Sequence, residues 1–507
     1  MPGDDGGGPV LLSVNKDVDV LVVMDNSGTM GQEQGRLAAN FESFVSVLER
    51  PGVDANYRIG ITTTDDGNPW CSGTTPEAGT LQLSSCRSRP EEFSFPGGLD
   101  DALDEACLDQ CPEQWSTIET LPTEVAGSDE LRRRRWLENI EGQTNLPEGL
   151  TVTQAFQCVG PQGISGCGFE SPLESMWKAL SRSLFEDDYD FGFVRDNSVL
   201  SIIHVTDEAD CSSNSDWDTI FLPDGNRIFW SDPAAGMPTS AVCWNAGVAC
   251  SGAGTYDDCF AVDLDVDGNE VNAANAPDDA VLRPLSRYID LVQEYEDQKQ
   301  QINPDQEVVV AVLGGIGRDG TLLYQDSLSD PQFQDDFGIG PGCSSPTGDA
   351  VPPVRLAEFA EAFQISNTTS LFSICAQDYG PALQAIAESI ADQLRPTCMP
   401  ACVADTDPTT PETVDPQCTL TQISPRGDGS FDEIDIPPCS DDLVPDGADV
   451  CYQALVGNQL SALCDDQGFN LEFDLIRREG VPARPGTTVE AFCELSQSKA
   501  VDCPDLP

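Results

Sequence analysis

Over its first 395 residues the chain alternates short apolar runs with amphipathic stripes at helical spacing. That alternation commits it to an α/β fold built on a mostly parallel sheet with helices on its faces. Val18-Asp19-Val20-Leu21-Val22-Val23-Met24 is mostly apolar and reads as a buried central strand. A helix follows with Leu37, Phe41, Phe44, Val45 and Leu48 on one face. Tyr57 to Thr63 is the next strand, and Leu173, Met176, Trp177, Leu180 and Leu184 form a second helical stripe. Strands are then expected at Val199 to Thr206, Val308 to Leu313 and Leu371 to Ile374. Helices are expected through Leu285, Ile289 and Val292, around Leu356 to Phe363, and through Leu383, Ile386, Ile390 and Leu394.

Three long stretches interrupt the series, at about 65–157, 208–277 and 316–353, each rich in Gly, Pro, Asp and Cys. They read as surface insertions pinned by disulfides. The chain holds 20 cysteines and no CxxC pair, which argues for an oxidising compartment over zinc ribbons or thioredoxin-like sites. Connectivity does not follow from sequence. Cys71 with Cys86 and Cys158 with Cys167 are candidate local pairs, with further partners among Cys211, Cys243, Cys250 and Cys259. After Leu394 the helical stripes stop and residues 396–507 carry Cys398, Cys402, Cys418, Cys439, Cys451, Cys464, Cys493 and Cys503. This part reads as a small disulfide-stapled β domain. Both parts hold an even number of cysteines, so each is expected to pair its own.

A formal net charge of −62 excludes nucleic acid and anionic lipid as partners unless a basic patch is concentrated somewhere. The one dense basic run, Arg132 to Arg135, reads as a solvated helix face answering nearby carboxylates. No apolar run approaches the ~18 residues that a membrane span needs. Residues 1–9 lack the apolar core of a signal peptide. The expectation is an exported chain whose signal was removed, with 1–16 as a flexible tether, following a lipid anchor upstream. The only histidine, His204, lies in an apolar run and reads as a satisfied core or strand-end residue; a Ser/His/Asp triad would hang entirely on it, and a His-rich metal site is excluded.

The segment richest in chemistry is Val22-Val23-Met24-Asp25-Asn26-Ser27-Gly28-Thr29-Met30. A strand ends at Asp25, and Ser27 and Thr29 follow at i+2 and i+4 before a helix. At the carboxyl end of a strand in an open α/β sheet, one carboxylate and two hydroxyls can converge on a hard cation with oxygen ligands. The bland alternative is a helix-capping turn, which the same residue types also suit. The pattern resembles the DxSxS signature of von Willebrand factor A-like (VWA) domains, with Thr29 in the last serine position. In that family it forms a metal-ion-dependent adhesion site.

The resemblance extends through most of 17–395. Val205-Thr206-Asp207-Glu208 is similar to the later loop of the family, which makes Asp207 a ligand. Gly166-Cys167-Gly168-Phe169-Glu170-Ser171-Pro172-Leu173 stands where the family has a loop threonine before a helix. Ser171 matches the threonine, while the adjacent Glu170 could supply the oxygen instead. If Glu170 does so, its charge offsets part of the cation's and weakens an acidic partner. Tyr57-Arg58-Ile59-Gly60-Ile61-Thr62-Thr63-Thr64-Asp65, Gly166 to Glu170, Asp207-Glu208-Ala209-Asp210-Cys211-Ser212, Ser286-Arg287-Tyr288-Ile289-Asp290 and Ile374-Cys375-Ala376-Gln377-Asp378-Tyr379 are together similar to secreted or surface VWA proteins of myxobacteria and related bacteria. What this implies is a Rossmann-like fold and an extracellular, cell-surface or periplasmic location. It also implies a divalent cation (Mg2+, with Ca2+ or Mn2+ as alternatives) and a partner that presents a carboxylate.

A second cation candidate is Asp263-Leu264-Asp265-Val266-Asp267-Gly268, which matches the opening of an EF-hand loop. Ala274 stands where the bidentate Glu belongs, so a hairpin turning at Asp267-Gly268 is favoured. Glu208 and Asp210 are further candidates for calcium beside the main site. Three functions compete. The first is a secreted or surface binding protein that uses the cation. The second is a structural envelope or matrix protein in which the cation only stiffens the fold. The third is an aspartyl-phosphate phosphohydrolase, since Asp25-Asn26-Ser27-Gly28-Thr29 resembles the DKTGT motif of P-type ATPases and Gly427-Asp428-Gly429 loosely resembles their magnesium loop. Asn26 in place of the lysine and the lack of membrane spans count against the third, and the chain is expected not to be an enzyme.

Overall fold

The computed structural model describes residues 10–12, 16–50, 53–95, 101–126, 128–302, 306–365, 368–394, 397–399, 401–407, 409, 414–426, 430–440, 443–461, 464–465, 468–478, 481, 483, 487–503 and 506. Its centre is a seven-stranded sheet. The strands are β1 Asp17–Met24, β2 Asn56–Thr63, β3 Trp136–Ile140, β4 Gln143–Thr144, β5 Val199–Val205, β6 Val309–Gly314 and β7 Leu371–Ser373, in the spatial order β7-β6-β5-β1-β2-β3-β4. The five strands from β7 to β2 run parallel, and β3 and β4 form an antiparallel edge. Parallel pairing needs crossovers, and helices supply them. These are α1 Gly31–Asn40, α2 Glu42–Leu48, α3 Val152–Val159, α4 Pro172–Arg182, α5 Leu285–Ile302, α6 Val354–Ala362 and α7 Gly380–Gln393.

The apolar runs are continuous because both faces of the sheet are covered. Val18, Val20, Val22 and Met24 of β1 face a layer made by α1, α2, α3 and α7, whereas Leu21 and Val23 face α4, α5 and α6. β6 and the residue before it divide the same way, with Val309, Ala311 and Leu313 on the first side and Val308, Val310 and Val312 on the second. The strand order reverses between β1 and β5, which are neighbours in space but distant in sequence. Ligand crevices of open α/β sheets lie at such a reversal, outside the strands' carboxyl ends.

The single helix expected through Leu37 and Leu48 is two, broken at Phe41, whose ring stacks on Phe156 of α3. The stripe on α4 ends before Leu184, which is exposed. The stretch 65–157 is not wholly an insertion, because β3, β4 and much of α3 come from it and join the central layers. The basic run lies on the strand Ser128–Arg133 and the bend after it, not on a helix. Arg132 and Arg133 pair with Glu130 and Glu119, while Arg134 is buried against the face of Trp136. His204 is buried in β5, but neither ring nitrogen has a partner, so it is not a satisfied histidine.

All 20 cysteines are paired, and each part pairs its own. The expected pairs Cys71–Cys86 and Cys158–Cys167 do not form. Cys71 bonds Cys167, Cys86 bonds Cys107, and Cys111 bonds Cys158. The first insertion folds back on the core, so spatial neighbours displace sequence neighbours. Gly35 records that contact: a Cβ there would sit 2.5 Å from the Glu105 carbonyl oxygen. Cys211–Cys243 and Cys250–Cys259 do lie within the expected set.

Beyond residue 396 two antiparallel sheets share a core of Met399, Leu420, Val450, Phe473 and Val489. Val10–Leu12 pairs with Thr488–Cys493 and forms the edge of one of them, so these three residues are a strand and not a tether. Arg477 of this part meets Glu141, at the turn between β3 and β4, at 2.5 Å. Among the described residues no helix is long and apolar enough to cross a membrane.

Candidate metal centre

The site lies where β1 and β5 end side by side. The Asp25 amide donates to the Val205 carbonyl, which extends the β1–β5 pairing into the loops. Gln34 of α1 donates to the Asp25 and Gly163 carbonyls at 2.7 and 2.8 Å, tying the first loop to the middle one. A Cβ on Gly166 would sit 2.2 Å from Asn26 Oδ1, so only glycine allows these two loops to meet.

Within this frame Asp25 is fully buried. Its Oδ1 accepts from the Ser27 amide at 2.7 Å and its Oδ2 from the Thr206 hydroxyl at 2.6 Å. The hydroxyls of Ser27 and Thr29 are 3.3 Å apart, and Thr29 moderates the rise in the Asp207 pKa. Thr29 is exposed and Asp207 half-buried, so the site opens to solvent on their side. Asp207 Oδ1 is itself buried and has no partner.

The middle loop separates its two candidates. The Ser171 hydroxyl donates to the Cys211 carbonyl at 2.9 Å and is occupied there. Glu170 is fully buried, takes a hydrogen bond from Thr64 on Oε2, and leaves Oε1 without a partner. Glu208 is also buried, and the Ser240 hydroxyl near it donates to the Gly168 carbonyl at 3.0 Å.

The electrostatics bring these carboxyls together. Burial raises the pKa of all four. Hydrogen bonds from Thr206 and Ser27 moderate the rise at Asp25. Repulsion from Asp25 and Glu208 adds to burial at Glu170, repulsion from Asp25 adds at Asp207, and repulsion from Asp207 and Asp25 adds at Glu208, so these three stand well above the ordinary carboxylate range. Among the described residues none of the four forms an ion pair. A buried set of acids with no cationic side chain and two orphaned oxygens suits a cation with oxygen ligands. Among the described residues no three His, Cys, Asp or Glu side chains are grouped closely enough to hold an ion alone. An ion here would therefore depend on the Ser27 and Thr29 hydroxyls as well.

The other acidic candidates are used elsewhere. Asp210 accepts from Ser212 and the Leu173 amide and forms a buried ion pair with Arg355 at 2.9 Å, so it is not available to calcium. Asp265 accepts from the amides of Asp267 and Asn269 in a turn closed by the Leu264–Glu270 bridge, and this is the hairpin rather than an EF-hand. Asp263 lies before that turn and Asp267 within it. Gly427-Asp428-Gly429 falls outside the described residues. Sequence reasoning overlooked Thr64, Thr206 and Gln34. The two threonines follow strand ends inside runs already singled out, whereas Gln34 carries no sequence signal.

No protein-family model matches the chain, and no curated protein matches it. Among solved structures, the pilus adhesin SpaC of Lactobacillus rhamnosus GG aligns over 95% of this chain at 9% identity and a TM-score of 0.30. The pilus adhesin RrgA of Streptococcus pneumoniae aligns over 97% at 12% identity and a TM-score of 0.26. The chain spans 40% of the first and 58% of the second. Likeness this faint carries nothing about function.

Proposed function

We propose that the chain is a secreted or cell-surface binding protein whose VWA-like centre uses a divalent cation, Mg2+ first, to engage an acidic group on a partner. The observation that carries this reading is the placement of Asp25 and Asp207 at the β1–β5 reversal, with an unpartnered Asp207 oxygen beside a solvent-facing Thr29. Asp25, Ser27, Thr29 and Asp207 would hold the ion, with Glu170 in place of Ser171 from the middle loop. Bound there, a divalent ion supplies a positive centre that a partner carboxylate can join on the open side. The ten disulfides suit export to an oxidising compartment.

Glu170 favours a second reading, in which the cation is structural. Its buried carboxylate would neutralise part of the ion's charge and lower its appetite for an acidic ligand. Capture of carboxylate-bearing surface extracts on the immobilised chain separates the two. The binding reading expects capture in Mg2+ to fall about tenfold or more in EDTA and in Asp25→Ala. Capture indifferent to both treatments sinks it, and cation-dependent melting without capture supports the structural reading.

A further inference from the structure

A groove of about 950 Å3 opens within the first insertion, between residues 75–88 and the segments 117–120 and 133–135. It is separate from the metal centre but shares a strand end with it. Thr63 donates to Glu77 on the groove side at 2.5 Å, while its neighbour Thr64 donates to Glu170 on the other side. The volume is that of a small-molecule site, yet the lining is dominated by Ser, Thr, Gln and charged side chains. Among the described residues the hydroxyls of Thr75, Thr80, Ser84 and Thr117 have no hydrogen bond within the protein. Each is a donor and an acceptor facing a concave space.

Two arginines stand on this wall, and they differ. Arg133 is paired with Glu119 at 2.7 Å. Arg135 has no ion pair among the described residues, although the buried Asp190 carboxyl feels its charge. Its guanidinium instead lies 4.9 Å over the ring of Tyr189, which is 66% exposed. In a chain with 87 acidic and 25 basic residues, an arginine parked on an exposed aromatic and facing a hydroxyl-lined groove is a ready hydrogen-bond donor to an anion. Guanidinium binds carboxylate or sulfate through two parallel hydrogen bonds, and its weak hydration makes that exchange cheap. A ligand matching both features carries many hydroxyls and an occasional negative charge.

We infer that this groove binds an anionic oligosaccharide, with Arg135 on the acidic group and the hydroxyls of Thr75, Thr80, Ser84 and Thr117 on the sugar hydroxyls. The inference does not rest on the cation reading.

The test is calorimetric titration of the full chain with three oligomers of matched length: a uronic acid oligomer, a sulfated oligosaccharide and a neutral glucan. Binding of one or both acidic oligomers, with the glucan at least about tenfold weaker, is expected from the charged hydrogen bonds. The preferred oligomer identifies the acidic group. Arg135→Gln should remove that preference, and Arg132→Gln, a salt-bridged arginine that does not line the groove, should change nothing. Arg135→Lys, expected to fold as the parent does, should recover part of the affinity. Binding should persist in EDTA, so this inference and the cation reading can fail separately. Failure of both acidic oligomers to bind, equal binding of the glucan, or retention of the preference in Arg135→Gln overturns it. So does a groove occupied instead by a peptide.

Discussion

Arg195→Met should lower the stability of the chain by about 3–5 kcal/mol, the usual cost of stranding a buried charge. Arg195 sits at the opposite end of the sheet from the metal centre, under β1 and β5. Its backbone amide and Nε bond the two oxygens of Asp19 at 2.6 and 2.9 Å, and its Nη2 reaches the carbonyls of Val18 and Asn56. Asp17 approaches at 3.0 Å, and Ser198 adds a hydrogen bond to Asp19. Lys299 closes the set by donating to the Arg195 carbonyl and the Ser198 hydroxyl. Burial alone would raise the Asp19 carboxyl, but Arg195, Arg58 and Lys299 outweigh it and hold it below its ordinary value. Burial pushes the Lys299 ammonium down to about 8 against the pull of Asp19 and Asp196. Methionine keeps most of the packing volume and leaves Asp19 without its principal partner. Urea unfolding midpoints measure the loss, and Asp19→Asn in the same chain should return part of it. A loss below about 1 kcal/mol would mean that the network is solvated and is not a buried ion pair at all.

The second large effect belongs to acid. His204 is buried among apolar groups, edge-on to Phe359, and burial holds its pKa down to about 3 from an ordinary 6.5. The unfolded chain takes a proton on this histidine as pH falls through 6.5, while the folded chain does not until about 3. Stability therefore drops as pH falls across that window, by about 4 kcal/mol at its lower end from this residue alone. Carboxyls whose folded pKa is raised, Asp66 and Asp190 at about 6 among them, act in the opposite direction, because burial makes their ionised forms costly. The histidine's share is read as the difference between parent and His204→Leu across pH. The variant should also gain about 1–3 kcal/mol at neutral pH by removing buried ring nitrogens without partners. Parallel stability profiles for the two chains would show that the ring is hydrated or partnered in solution.

The parallel sheet was legible because its strands are buried on both faces and so read as unbroken apolar runs flanked by helical stripes. The antiparallel edge was not, since Trp136–Ile140 lies inside a polar, cysteine-rich stretch and is recruited by pairing with β2 rather than by its own pattern. Val10–Leu12 was missed for the same reason, because its partner strand lies at the other end of the chain. Disulfide pairing depended on how the insertions fold back, which composition does not encode. In the centre, Asp25, Ser27, Thr29 and Asp207 stood out because strand ends place them. Sequence alone left Glu170 and Ser171 open, because the Cys211 carbonyl that takes up the serine hydroxyl lies 40 residues away.

Titration of Mg2+ and of Ca2+ into the full chain near neutral pH, repeated at lower pH, tests the cation reading most directly. The account predicts that a single ion binds and that its affinity falls as the pH is lowered, because the carboxyls around it have raised pKa values and must be ionised to hold it. It also predicts that Asp25→Ala abolishes the heat while Ser171→Ala keeps it. Absence of binding by either ion in the parent chain, or binding that survives Asp25→Ala unchanged, would contradict it.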